Sequence, residues 1–182
     1  MRLAVADPPY PGCAHMYADH PDYAGEVDHR LLIERLQDEF DGWALHTNVP
    51  GLRLMERAGW LPDDIRLCGW FKSFAAFKRH VSVAYAWEPV IIKAARKPIV
   101  SKRVIYRDFC EVPDCIKEPI TMKRGLTGAK PEKVCWWTFE LMGAEPGDEF
   151  ADLFPGTGAV TAAWEAWRNA ASEELILFGC GV

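Results

Sequence analysis

Leu3-Ala4-Val5-Ala6 is a short apolar run cut off by Asp7-Pro8-Pro9-Tyr10. It reads as a strand buried on both faces that ends in a rigid loop. Residues 11–28 mix Pro, Gly, Asp and His without a period and predict a loop or lid. Asp28 stands where a helix cap is expected, and Leu31, Leu32, Arg35 and Leu36 share the helical face that follows, to about Phe40. Gly42 to Thr47 predicts a second strand, Gly51 to Ala58 a short helix closed by Gly59, and Ile65 to Phe71 a third strand. Val90-Ile91-Ile92 predicts a fourth, introduced by Trp87-Glu88-Pro89. Residues 98–130 are irregular and carry Pro98, Pro113, Pro119, Gly125 and Gly128. Val134 to Met142 predicts a helix and Glu149 to Phe154 a fifth strand. After Pro155-Gly156-Thr157-Gly158 comes an Ala- and Trp-rich helix to about Ala171, then a sixth short strand at Leu175-Ile176-Leu177-Phe178. Strands alternating with helices predict an α/β fold with a mostly parallel sheet.

Composition narrows the class. At 182 residues and 20.6 kDa the chain is expected to be one domain, residues 1–182. Hydrophobic residues are 49% and charged residues 26%, which argues against wholesale disorder. No apolar run approaches the ~20 residues of a membrane helix. Arg2, Asp7 and two prolines come too early for a signal peptide, so a cytoplasmic protein without membrane contact is expected. Six cysteines are too few for a disulfide scaffold. Cys110 and Cys115, with Cys13 and His15, have loose spacing for zinc and read as ordinary thiols, so no metal is expected. His15, His20 and His29 lie near the first loop and read as solvated. The tryptophans read as mostly core.

The net charge of −5 hides a split, since residues 93–133 hold 11 Lys/Arg against 5 Asp/Glu. An acidic body carrying one basic surface suits a polyanion partner.

Two motifs carry chemistry. Phe154-Pro155-Gly156-Thr157-Gly158 joins a strand to a helix, where glycines let a ligand approach backbone amides at a helix start. It lacks the Gly-Lys-Ser/Thr of a phosphate loop. Asp7-Pro8-Pro9-Tyr10 offers a carboxylate, carbonyls freed by proline's missing donors, and a flat ring. Two acceptors beside a stacking platform suit a planar amine such as the exocyclic amino group of a nucleobase. Each motif alone is equally a structural turn.

Together, Asp-Pro-Pro-Tyr after one buried strand and Asp-x-Phe-x-Gly-x-Gly after another resemble the S-adenosylmethionine-dependent amino-methyltransferases of adenine and cytosine. Asp at position 7 resembles the adenine-N6 branch. Catalytic motif first and cofactor motif last resembles the circularly permuted, beta-type order. Trp43 to Thr47, Cys68 to Lys72 and Trp87 to Ile92 look like the strands after the catalytic loop, the last two resembling the mRNA-adenosine relatives as well. Lys130-Pro131 and Pro146-Gly147-Asp148 look like the segment before the cofactor motif. Small chains of this kind resemble phage or prophage methylases.

The resemblance implies a Rossmann-like methyltransferase fold, circularly permuted and truncated on the cofactor side. A further cofactor-side strand is not expected after Val182, and no ribose-holding acid follows Leu175 to Phe178. A homodimer or partner subunit is therefore an expected complement. It implies that Asp7, Pro8, Pro9 and Tyr10 hold the target amine. It also implies that Asp7, Lys130, Asp152, Phe154, Gly156, Thr157 and Gly158 hold S-adenosylmethionine. Residues 98–128 fall where such enzymes place target recognition, with Lys102, Arg103, Arg107, Lys123 and Arg124 as the expected phosphate contacts. The implied activity is methylation of adenine N6 in DNA, double- or single-stranded, inside a bacterial or phage-infected cell. Cytosine N4 and RNA adenine are variants of that chemistry. The rival reading is a non-catalytic nucleic-acid-binding or partner subunit that keeps the fold.

Overall fold

The computed structural model describes residues 1–18, 24–76, 82–83, 85–97, 108–111 and 130–179. In chain order these form β1 (Arg2–Ala6), a 3-10 turn (Ala14–Tyr17), α1 (His29–Glu39), β2 (Gly42–His46), α2 (Val49–Arg57), β3 (Arg66–Ala76) and β4 (Tyr85–Lys93). There follow β5 (Phe109–Glu111), α3 (Glu132–Met142), β6 (Glu149–Asp152) and α4 (Ala159–Gly179).

Local chemistry accounts for the boundaries. The Asp28 carboxylate accepts the Arg30 and Leu31 amides at 3.0 and 3.1 Å and starts α1. Asn48 does the same for α2 through the Gly51 amide at 2.7 Å, with Pro50 in the first turn. Gly143 ends α3 in the left-handed conformation, φ +71°.

The strands form one six-stranded sheet in the order β5-β3-β4-β2-β1-β6. β1 pairs in parallel with β2 and β6, and β3 with β5, whereas β2–β4 and β3–β4 are antiparallel. The sheet is thus mixed, with parallel pairs in the majority. Alternating residues feed two cores. Leu3, Val5, Ala44, Cys68, Trp70, Val90 and Ile92 pack under α3 and α4. Ala4, Ala6, Trp43, Leu45 and Ile91 pack under α1 and α2. β1, between β2 and β6, is buried on both faces, as its unbroken apolar run requires.

Two expectations are corrected. Leu175 to Phe178 do not form a sixth strand but continue α4 to Gly179. No Gly or Pro stands between Ala159 and Phe178, and a helix once nucleated propagates through Ala, Glu and Leu. The sixth strand of the sheet is instead β5, inside the stretch expected to be irregular. The phosphate-contact residues Lys102, Arg103, Arg107, Lys123 and Arg124 lie outside the described residues.

Candidate active site

The register brings the two sequence motifs to one edge. Ala6 is level with Leu45, and Val5 with Asp152, so the carboxyl ends of β1, β2 and β6 coincide. Asp7, His46 and Asp152 therefore lie at the same end of the sheet, where ligands of parallel α/β sheets bind. β4 runs the other way. Its Val90 is level with His46, so Glu88 lies beyond that edge, opposite Trp70 of β3. The β3–β4 pair forms a wall beside the Asp7 loop.

Around that loop stands a cluster of two acids, two lysines and a phenol. Lys130, just before α3 and with its side chain 4% exposed, sets its ammonium 2.8 Å from Asp7 Oδ2 and 3.9 Å from Glu88 Oε2. The Tyr10 hydroxyl donates to Glu88 Oε2 at 2.9 Å, and Lys130 Nζ lies 3.5 Å from the same hydroxyl. Lys72 donates to Glu88 Oε1 at 2.7 Å and sits 4.4 Å from the Trp70 ring centroid. With both acids ionised and both lysines protonated the cluster is neutral.

Its electrostatics follow from burial and pairing. Burial alone disfavours the Lys130 cation, but Asp7 and Glu88 outweigh it and raise its pKa. Burial likewise opposes the Glu88 carboxylate, yet Lys130 and Lys72 pull its pKa below the ordinary range. Burial, then the charges of Asp7 and Glu88, keep the Tyr10 phenol neutral well above its usual range. Tyr17, on the 3-10 turn, is raised by burial and then by Asp7, which places its hydroxyl within the same field. The segment after Tyr10 is tied down by Glu26, which accepts the Gly12 and Ala14 amides at 3.3 and 3.2 Å.

The second motif turns sharply. Gly156 and Gly158 have φ of +49° and +77°, and the Gly158 amide closes the turn onto the Pro155 carbonyl at 2.6 Å. Among the described residues, a Cβ built on Gly158 meets nothing within 4 Å, so the turn fronts open space. Asp152 accepts from the Phe154 amide at 3.3 Å and the Thr161 hydroxyl at 3.1 Å. Burial and then the Asp7 charge nevertheless raise its pKa. Two neighbouring carboxylates beside an open glycine turn suit a ligand that carries positive charge.

Solved structures share this arrangement of elements. The M1.HpyAVI–SAM complex matches with a TM-score of 0.62, covering 92% of this chain and 78% of its own, at 13% sequence identity. The fold is methyltransferase-like. No protein-family model matches the sequence, and no curated protein matches it either. In M1.HpyAVI the fold holds SAM.

The structure thus joins Asp7, Tyr10 and Lys130 in one cluster and sets Asp152 next to Asp7 at the sheet edge. It adds Glu88, Lys72, Trp70 and His46, which reading the sequence missed. The available signal was charge inside otherwise apolar strands: Glu88 precedes Pro89-Val90-Ile91-Ile92, and Lys72 alternates with Trp70. Their convergence needed the antiparallel β3–β4 register. His29, expected as a solvated loop residue, is buried at the start of α1, its Nδ1 2.9 Å from the Val27 carbonyl oxygen.

Proposed function

We propose that the chain is an S-adenosylmethionine-dependent methyltransferase acting on the exocyclic N6 of adenine in DNA. The observation that carries this reading is the juxtaposition of Asp7-Pro8-Pro9-Tyr10 with the Asp152–Gly158 turn. They stand at coincident carboxyl ends of adjacent parallel strands, on a methyltransferase-like fold.

The residues present fit the cofactor. The open space before Gly158 admits its amino-acid end to the backbone of residues 154–158, and Asp152 and Asp7 complement its positive charge. When bound, the cofactor supplies an electrophilic methyl group on a sulfonium. The protein's share is binding, positioning and electrostatics.

The target adenine, turned out of its stack, lies against the Tyr10 ring. The hydroxyl's bond to Glu88 fixes the plane of that ring. Asp7 and the Pro8 carbonyl accept the two amino hydrogens and aim the nitrogen lone pair at the methyl group. Lys130 grips Asp7 Oδ2 and holds the carboxylate in one orientation. The resemblance gives Lys130 to the cofactor. Its 2.8 Å contact supports a positioning role toward Asp7.

The test is nucleoside mass spectrometry on DNA from a methylase-free host expressing the chain. N6-methyladenine is expected with the native chain and only background with Asp7→Ala. N4-methylcytosine would keep the mechanism and change the base. No modified base, together with no S-adenosylmethionine binding by calorimetry, would leave the non-catalytic reading.

A further inference from the structure

A row of polar side chains crosses the face of the sheet that α3 and α4 cover. Val5, Ala44, Trp70 and Val90 belong to the core under those helices, and Phe150 packs against it. Side chains alternate along a strand. Asp7, His46, Lys72, Glu88 and Asp152 each stand two positions from one of these residues, so they lie on the same face. Across the strand order β3-β4-β2-β1-β6 the charges run Lys72, Glu88, Asp7, Asp152. Lys130 spans the middle, 2.8 Å from Asp7 and 3.9 Å from Glu88.

The ionised state of Glu88 needs a reason. Holding the Tyr10 ring requires only an acceptor, which a neutral amide would supply. Instead an acid mostly out of water is kept between two ammoniums, an arrangement costly to desolvate. Its charge acts along the row. Lys130 serves two acids, so what Glu88 offsets of the Lys130 charge is not spent on Asp7. Lys72, 2.7 Å from Glu88, offsets Glu88 in turn. The Asp7 field reaches the glycine-turn end of the row, where after burial it raises Asp152. The Cys135 thiol, pushed up to about 12 by burial first, feels Lys130, Asp7 and Asp152 together.

We infer that Glu88 is a positioning residue that sets how strongly the site prefers S-adenosylmethionine over S-adenosylhomocysteine. The two ligands differ by one methyl group and the sulfonium charge. By offsetting Lys130, Glu88 leaves Asp7 its negative field, which attracts the sulfonium and is indifferent to the neutral thioether. The inference rests on the proposed methylation and deepens it, because this preference governs how readily the spent cofactor is exchanged.

The experiment is calorimetric titration of both ligands at neutral pH, read as the Kd for S-adenosylhomocysteine divided by that for S-adenosylmethionine. Glu88→Gln keeps an acceptor for Tyr10 and removes the charge. It is expected to lower the ratio about 5-fold, the order of one charge acting over roughly 15 Å at an effective dielectric constant of about 20. Lys72→Met is expected to raise the ratio by a similar factor. The double variant Glu88→Gln/Lys72→Met should return close to the native ratio. Thermal unfolding serves as the folding control, and if Glu88→Gln does not fold, the sign for Lys72→Met decides.

Opposite shifts in the two single variants are not what a packing defect produces, since that weakens both ligands together. An unchanged ratio, or shifts of the same sign, overturns the role of Glu88 and leaves the proposed function standing. If the native chain binds neither ligand, the proposed function falls and this inference with it.

Discussion

His46 is the most constrained polar side chain at the site. It is 2% exposed, its Nδ1 is buried without a partner among the described residues, and burial followed by the Lys130 charge pushes its pKa down to about 3. The folded ring is therefore neutral, whereas the unfolded chain protonates near 6.5. The stability this contributes is complete above pH 6.5 and is lost as pH falls toward 3. By pH 5 the loss is about 2 kcal/mol. Urea unfolding at several pH values should show that slope for the native chain. His46→Gln should flatten much of it, with His29, also held low by burial, supplying the remainder. An unchanged slope would mean that His46 is not kept neutral. Glu88 and Asp148 have lowered values and add to the slope only below their ordinary values of 4.5 and 3.8, so they leave the range between pH 6.5 and 4.5 unaffected.

Element boundaries distinguish glycines that shape the fold from those that serve the site. Gly143 at the end of α3 has φ +71°, and a Cβ there would lie 2.4 Å from the Arg96 carbonyl oxygen. Gly158 between β6 and α4 has φ +77° and open space in front of it. Alanine at either position costs about 1–2 kcal/mol of left-handed strain. At Gly143 the clash adds about 1–3 kcal/mol more. Thermal unfolding should therefore show a larger drop for Gly143→Ala than for Gly158→Ala. Calorimetry should show the opposite order for S-adenosylmethionine, with Gly158→Ala losing at least about 10-fold (the 1.4 kcal/mol step). Equal cofactor affinity in the two variants would remove the glycine turn from the proposed binding surface.

Across the whole molecule, the end of the sheet opposite the site is fastened by charge. Asp148 accepts from Arg96 Nη1 and Nη2 at 2.7 and 2.9 Å, from the Met1 ammonium at 2.8 Å, and from the Glu145 amide at 2.8 Å. The clamp joins the start of β1 and the approach to β6 to the segment after β4. Burial opposes the Asp148 carboxylate, but these donors, Arg96 first, hold its pKa at about 2. Its side chain is 4% exposed, so little of the effect is screened. The contribution, about 2 kcal/mol, is present above pH 4 and lost as pH falls toward 2. Asp148→Asn should lower stability by about that amount at pH 7 and remove the corresponding acid-side slope in urea titrations. The fastening leaves the carboxyl end of the sheet to the Asp7 cluster.

Local signals were enough for much of this. The β1 run, the Asp28 cap, the helix of α3 and the two motif turns are set by neighbours a few residues apart, where apolar period, proline and glycine act directly. Residues 175–178 misled because a four-residue apolar run fits strand or helix equally, and the preceding helix decided between them. β5 carried no local signal, because three residues at a sheet edge are specified by the strand they join. The same holds for the site. Asp7 and Tyr10 were legible as a motif, since proline geometry and side-chain type suffice. That Glu88, Lys72 and Lys130 surround them depends on an antiparallel register and on a helix 120 residues away from Tyr10 in sequence. Residue chemistry was set by the chain alone. The pairing of charges was decided by tertiary structure, because only folding brings distant carboxylates and ammoniums out of water and within contact.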